Sequence, residues 1–404
     1  MTDGDAFMIN QTKIAFVHSE NGYNDIAIGS GIDDYVLANQ HLQLITWPDP
    51  SFESLSFLKR QGCAGAIVNV RLAETAKKLA KLNIPIIAYS CLQNVGPFPY
   101  ITTDSKKVTE TAFDYFSKKQ FVNFAFFGLT EARWAHRRLE FFYEIVTDAG
   151  HQLHVFETEP GAISDDLTSF IQLWTGYAMT KSRVELVDWL NKLPKPVAIL
   201  ASCDILGCYL SYFVEEAGFS IPNEVAILGI DNNESICKIC NSPLSSIALN
   251  LSKAGYDAVE LLDKMISGKE KARGQRIRIE PLHVIERAST DIFAIDDTYV
   301  IEAMKFIHEH SGEPLQVGEI AEHCCVSKRL LQSKFKDFLK QSIHDVIIGV
   351  HFQKARLMLI ETNNSIEQIS KESGFGTSSK MRRAFLSITG IGPQKYRHVH
   401  RSHK

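Results

Sequence analysis

The 404-residue chain has no apolar run long enough to span a bilayer. Its first residues, Met1-Thr2-Asp3-Gly4-Asp5, are acidic and polar, without the basic and apolar regions of a secretory leader. There is no phosphate-binding glycine loop, no convincing metal set and no nucleophile elbow. Cysteine occurs eight times, but Cys237-Lys238-Ile239-Cys240 has no second pair at ligand spacing. Reduced, structural cysteines are therefore expected, as in a reducing compartment. His398, His400 and His403 lie together at the end and read as tail composition. These absences point to a cytoplasmic, non-enzymatic protein that needs neither metal nor cofactor.

A positive overall charge is missing too: the net is −4. The distribution is more informative than the sum. Residues 297–404 hold 16 Lys and Arg against 11 Asp and Glu, a net of +5. The preceding 296 residues hold 27 against 36, a net of −9. A basic module behind an acidic body is expected when only the module meets phosphates.

Within the basic part, Thr298–His310 reads as a first helix, and one helix–turn–helix pattern then occurs twice between Leu315 and Arg397. In the first copy Glu319–Cys324 reads as a short helix, Cys325-Val326 as the turn, and Ser327 as the cap of a helix reaching Leu339. In the second, Ile366–Ser373 is the short helix and Gly374-Phe375-Gly376 the turn. Thr377 or Ser378 then caps a helix to Thr389. A hydroxyl at that position accepts from an otherwise unpaired N–H at the helix start. Leu331 and Phe335, and likewise Met381 and Phe385, are spaced i, i+4 as inward stripes. Arg329, Gln332 and Ser333, and likewise Ser379, Arg382 and Arg383, form the opposite strips. Such side chains can bond base edges, with Lys328, Lys336, Ser378, Lys380 and Arg397 as further DNA contacts, chiefly to phosphate. A solvated face is the bland reading of one strip; two strips, each after a tight turn, favour DNA. Ile343–Thr362 reads as one connecting helix, roughly 30 Å long. That length suits neighbouring major grooves, about 34 Å apart.

These residues resemble the DNA-binding domain of AraC/XylS regulators. The second copy carries the signature: Gly374-Phe375, the run to Phe385, then Gly390, Pro393 and Tyr396-Arg397. The first departs from it at Cys325 and Lys340, where the family has glycines.

The front part alternates apolar strands with amphipathic helices. Strands are expected at Lys13–Val17, Leu42–Thr46, Ala64–Val70, Ile84–Ala88, Phe124–Phe127, Leu153–Phe156, Val197–Ala201 and Val225–Ile230. Helices are expected at Tyr23–Ala38, Leu55–Gln61, Ala73–Leu82, Lys107–Lys119, Leu139–Ala149, Val184–Leu193 and Ile205–Ala217. This implies parallel sheets covered on both faces, in two α/β lobes. Open α/β sheets bind ligands beyond the carboxyl ends of their strands. There the sequence places Asp104, Ser202-Cys203-Asp204 and Asp231-Asn232, carboxylates that can take paired hydroxyls of a polyol. Arg133, Trp134 and Arg138 add donors and an apolar face for a sugar ring. For each carboxylate alone, a helix N-cap is the commoner role.

This part resembles the effector domain of LacI/GalR-type regulators, on Thr103-Asp104, Arg133–Phe142, Ser202-Cys203-Asp204, Gly229–Asn232 and Ser245-Ser246-Ile247. Joined to a doubled helix–turn–helix through Val284–Asp291, it resembles the bacterial xylose-operon regulators. The resemblance implies a two-lobed periplasmic-binding-protein-like α/β sensor over 1–290, a linker at 291–297, and an all-α double helix–turn–helix domain over 298–404. It implies a dimeric activator whose partners are double-stranded operator DNA, RNA polymerase, and xylose or a related pentose. The implied pocket comprises Arg133, Trp134, Arg138, Asp204 and Asp231, with Tyr23, Asp104 and Asn232 as further candidates. Two other readings stay open: a sugar- or nucleoside-processing enzyme, and an architectural DNA binder with an inert scaffold domain.

Overall fold

The structure, a computed structural model, describes residues 11–18, 23–48, 58–70, 73–90, 96–130, 132–158, 180–271, 273–292, 294, 297–339 and 341–400. No helix among them is long and apolar enough to cross a membrane. The chain divides into two units, the first ending at Ile292 and the second beginning at Phe293, with Lys118–Gln120 grouped with the second.

The first unit contains two six-stranded sheets. The N-lobe is entered by β1 (Thr12–Val17), α1 (Tyr23–Ala38), β2 (Leu42–Trp47), β3 (Gly65–Asn69), α2 (Ala73–Leu79), β4 (Ile86–Tyr89) and β5 (Tyr100–Thr103). After α3 (Ser105–Lys118) the chain builds the C-lobe: β6 (Phe124–Leu129), α4 (Arg133–Asp148), β7 (Leu153–Thr158), α5 (Thr180–Lys192), β8 (Val197–Ala201), α6 (Asp204–Glu216), β9 (Val225–Asp231), α7 (Glu234–Ile239) and β10 (Ser245–Leu249). Helix α8 (Leu251–Ile266) leads back to the N-lobe as β11 (Arg276–Ile279), and β12 (Pro281–Ile285) returns to the C-lobe. The strand orders are β11-β5-β4-β3-β1-β2 and β12-β10-β9-β8-β6-β7. Every pairing is parallel except β12 on β10. Central strands such as β3, β6, β8 and β9 are continuous apolar runs because helices cover both faces.

Two α/β lobes and an all-α unit are thus what the chain forms. The expected strands are all present with ends shifted by up to a few residues. The expected helix Leu55–Gln61 lies mostly outside the described residues. Helix α4 starts at Arg133, six residues before the expected Leu139; its N-cap Ala132 carries no hydrogen-bonding side chain to mark that start in the sequence. Helix α8 and strands β10, β11 and β12 were not among the expected elements; the strands are only four or five residues long, and β11 pairs with β5, far away in sequence.

The second unit is helical: α9 (Thr298–Glu309), α10 (Val317–His323), α11 (Lys328–Leu339), α12 (Ile343–Glu361), α13 (Ile366–Glu372), α14 (Ser378–Thr389) and α15 (Pro393–His400). The expected caps are in place. Ser327 Oγ accepts from the Leu330 amide at 3.2 Å, and Thr377 Oγ1 from the Lys380 amide at 3.4 Å. Such caps each contribute about 1 kcal/mol. Leu331, Phe335, Met381 and Phe385 are fully buried. They belong to two separate cores, one with Ile343 and Ile347, the other with Phe352, Ala355 and Leu359. The 19-residue α12 therefore gives its first half to one helix–turn–helix and its second half to the other.

The two turns share a backbone shape. Gly374 has φ +80°, and Cys325 adopts φ +54° without being glycine. A left-handed residue with a Cβ costs roughly 1–2 kcal/mol, so the first copy keeps the turn against a local strain. Lys340, the other departure, lies outside the described residues. A side chain at Gly374 would also collide with His351, because a Cβ there would lie 2.4 Å from the His351 Nε2. His351 is 4% exposed, stacks edge-on against Phe375, and has no hydrogen-bond partner at Nε2.

Burial pushes the His351 pKa down to about 4 from 6.5. As pH falls, the unfolded chain therefore takes up this proton before the folded one does. Stability from this site is complete above about 6.5 and declines as pH falls toward 4. Urea unfolding followed by helix signal should show a midpoint that drops over that window, and His351→Met should flatten the drop. Identical pH profiles for the two proteins would contradict the assignment.

Candidate functional site

A cavity of about 830 Å³ lies between the lobes of the first unit, at the carboxyl ends of the parallel strands. The N-lobe side presents Asn24 and Asp25 from the start of α1, Asn69 at the end of β3, Tyr89-Ser90 at the end of β4, Thr103-Asp104 at the end of β5, and Arg276 and Arg278 from β11. The C-lobe side presents Leu129, Arg133, Trp134, Arg137 and Arg138 from β6 and α4, Cys203-Asp204 before α6, and Asp231 and Asn233 after β9.

Arg138 is the centre of the floor. Its side chain is 3% exposed, and its Nη1 donates to the Ser202 carbonyl. Its Nη2 donates to Thr103 Oγ1 of the N-lobe at 3.1 Å and lies 3.9 Å from Asp231 Oδ1. The guanidinium sits 4.9 Å from the Trp134 ring centre, and its Nε has no protein partner. Burial lowers its pKa, and the Asp231 charge opposes that shift.

Asp204 is 1% exposed and already engaged. Its Oδ1 accepts from Ser246 Oγ at 2.5 Å and its Oδ2 from the Asn233 amide at 2.6 Å. Burial, then the Asp231 charge, hold its carboxyl well above the usual carboxylate range. Gly229 makes room for it: a Cβ there would lie 2.2 Å from Asp204 Oδ1. Asp204 thus braces the turn after β9, and Asp231 is the carboxylate on the open side. Beside them the Cys203 thiol is buried, and burial raises its pKa.

The other expected residues divide. Arg133 is exposed at the first turn of α4 and Trp134 half-buried, both lining the cavity. Asp104 lines it too, while its Oδ1 accepts from the Lys107 amide at 3.3 Å, the helix-capping role. Its Oδ2 lies 3.7 Å from Arg278 Nη1. Asn232 is not in the lining: its Oδ1 accepts from Arg287 Nη2 at 2.8 Å, and Asn233 faces the cavity instead. Tyr23 opens α1, but its side chain is outside the described residues. Sequence reasoning missed Asp25, Asn69 and Tyr89, all buried, of which Asn69 Oδ1 has no partner. Their only signal was position, at the end of a strand or in the first helix turn.

In the second unit, Lys328, Arg329, Gln332, Ser333 and Lys336 are exposed along α11. Ser379, Lys380, Arg382 and Arg383 are exposed along α14, and Ser378 is half-buried, 3.4 Å from Ser370 Oγ. Arg397 is placed differently from the phosphate contact expected of it. Its Nε donates to the Leu359 carbonyl at 3.3 Å and its Nη2 to the Asn364 carbonyl at 2.5 Å. It closes the end of α12, where a cation meets unpaired carbonyls.

Comparison with known proteins covers both units. A family model described as a periplasmic binding protein-like domain matches residues 113–290, and one described as a helix-turn-helix domain matches residues 320–398. The chain is 28% identical to the Xylose operon regulatory protein of Escherichia coli (strain K12), over 96% of this chain and 97% of that protein. For the protein of the same description from Haemophilus influenzae the identity is 27%, over 95% and 98%. A solved structure described as that of the xylose-binding transcription activator xylR aligns over 97% of this chain and 99% of its own, with 26% identity and a TM-score of 0.58.

Replacing Arg397 by Met should lower the stability of the helical unit by about 1–2 kcal/mol in thermal or urea unfolding. The salt dependence of DNA binding should stay as in the parent chain. A slope shallower by about 1 would instead make Arg397 a phosphate contact.

Proposed function

We infer that this chain, a sugar-responsive DNA-binding transcription regulator with the two-part build of the xylose operon regulatory proteins, takes a pentose in its interlobe cleft. The observation that carries the choice of ligand class is the pairing of Arg138 and Asp231 beside the Trp134 ring. A fixed donor fork, an acceptor with two oxygens and an aromatic face are what a small polyol needs. Asp231 takes a pair of ring hydroxyls, and Arg133 and Arg138 donate to ring or hydroxyl oxygens. Asp104 and Asn69 meet the sugar from the N-lobe, with Asn69 Oδ1 gaining the partner it lacks. The likeness to the xylose operon regulators favours xylose, or a pentose differing from it at one centre.

On DNA, Arg329, Gln332 and Ser333 of α11 and Ser379, Arg382 and Arg383 of α14 read base edges. Lys328, Lys336 and Lys380 meet phosphates, and the half-buried Ser378 supports the start of α14. Helix α12, roughly 28 Å long, sets the two reading helices in neighbouring major grooves. The regulator works in the cytoplasm as a homodimer, catalyses no reaction, and activates pentose catabolic genes by contact with RNA polymerase. Sugar held by both lobes favours their closed state, and closure repositions the DNA-binding units of the dimer. The sugar moves that equilibrium only through its different affinity for the two states.

Calorimetry with D-xylose and its C2, C3 and C4 epimers should show saturable binding of at least one of them to the full chain. Asp231→Ala should weaken it about 100-fold while DNA binding without sugar persists. No heat with any of the four sugars, or an unchanged affinity in Asp231→Ala, would overturn the pocket assignment. Arg383→Ala should cost about 1–3 kcal/mol on operator DNA and much less on random DNA; equal losses on both would make it a backbone contact.

A further inference from the structure

Two consecutive residues at the end of β9, Asp231 and Asn232, have φ of +110° and +54°. Asn tolerates the left-handed region, but φ +110° at Asp231 lies outside it, so the surroundings help to enforce the shape of the turn. One set of restraints lies on the cleft side. Ser246 Oγ accepts from the Asn232 amide at 3.0 Å and donates to Asp204 Oδ1 at 2.5 Å. The Asn233 amide donates to Asp204 Oδ2 at 2.6 Å.

The other restraint points away from the cleft. Asn232 Oδ1 accepts from Arg287 Nη2, and Arg287 Nη1 donates to the Leu244 carbonyl, both at 2.8 Å. The Arg287 amide donates to Ser245 Oγ at 2.8 Å, which also receives Thr290 Oγ1 at 2.6 Å. Ser289 Oγ accepts from the Ser245 amide at 2.8 Å and donates to the Ile227 carbonyl at 2.6 Å. Ser289 and Thr290 are wholly buried. The sensor unit ends two residues later at Ile292, and the next residue begins the DNA-binding unit.

We propose that Asn232 and Arg287 are positioning residues that transmit the state of Asp231 in the cleft to the exit segment Arg287–Ile292. A group that bonds Asp231 acts on the peptide shared with Asn232, in a turn already held off its preferred backbone. A change of backbone angle at Asn232 moves its side-chain oxygen, and with it the acceptor of the Arg287 guanidinium. Arg287 is also the first residue of the exit segment, which is anchored by the buried Ser289 and Thr290, so a change in the turn alters how firmly that segment is held. The physical warrant is a turn held at positive φ, both sides of which are tied by named bonds. The inference goes beyond the reading of the ligand as a pentose, and its test uses no sugar.

Amide hydrogen exchange of the full chain, read over residues 286–292, tests it in the parent and in four variants. Asn232→Gly suits the positive φ and removes the tie to Arg287. It should speed exchange of that segment about 10-fold with no loss of melting temperature. Asn232→Asp keeps an acceptor facing Arg287 and should retain the parent protection. Asp231→Asn, which changes the cleft group without changing its shape, should alter exchange of the segment about 3-fold or more in the parent background. In the Asp231→Asn, Asn232→Gly double variant that effect should vanish. A structural role alone would lower the melting temperature of Asn232→Gly and loosen β9 and β10 together. The proposal is overturned if Asp231→Asn leaves the segment unchanged, if it acts equally with and without Asn232, or if Asn232→Gly leaves protection intact.

Discussion

The buried guanidinium of Arg138 is the constraint on which the sensor depends. A cation taken out of water costs several kcal/mol unless its surroundings answer it. Here the answer comes from separate pieces of chain: the Ser202 carbonyl after β8, the Thr103 hydroxyl after β5, the Asp231 carboxylate after β9 and the Trp134 ring on the same helix. Three strand ends and α4 are fixed to one another by one side chain. One of its bonds crosses from the C-lobe to the N-lobe. The cleft is therefore floored by a charge that the protein alone satisfies incompletely, since its Nε has no partner. The cleft thus presents a rigid donor and a fixed acceptor before anything enters it. Little has to be ordered at the moment of binding, which is what preorganisation contributes to affinity.

The helical unit obeys a different constraint. Its two helix–turn–helix halves have separate small cores, and neither would be large enough to be stable by itself. Helix α12 resolves this by belonging to both. Its early apolar residues, Ile343 and Ile347, face one core, and its late ones, Phe352, Ala355 and Leu359, face the other. The end of this helix is secured by Arg397, and its start by Ser342, whose Oγ accepts from the Asp345 amide at 3.2 Å. Among the described residues, the exposed polar strips of α11 and α14 make few bonds within the unit: Ser333 Oγ reaches Asp337 at 3.4 Å and Ser378 Oγ reaches Ser370 at 3.4 Å.

Much of this was legible in the sequence, for physical reasons that differ by element. The helical unit is governed by local rules, so its periodicity and hydroxyl caps located every helix between Thr298 and Thr389 to within about two residues. Central strands were legible because double-sided burial demands unbroken apolar runs. Illegible were the elements whose identity depends on distant partners. β11 is polar and edge-placed, and it becomes a strand only by pairing with β5, far away in sequence. The start of α4 has no cap residue to announce it. In the cleft, Asp231 was recognisable from its place after an apolar strand, whereas Asp25 sits in a helix that looked like any other. Asn232 and Arg397 show the limit most clearly. Both are polar residues in the expected neighbourhood, but each is committed to a partner that only the fold brings near.

What unites the two units is the claim that occupancy of the cleft alters the grip on DNA. The most direct measurement is the affinity of the full chain for its operator, at one fixed salt concentration, with and without saturating D-xylose. A coupling of ordinary size would change that affinity about 5- to 150-fold. Identical affinities, with the sugar shown to be bound, would contradict the account.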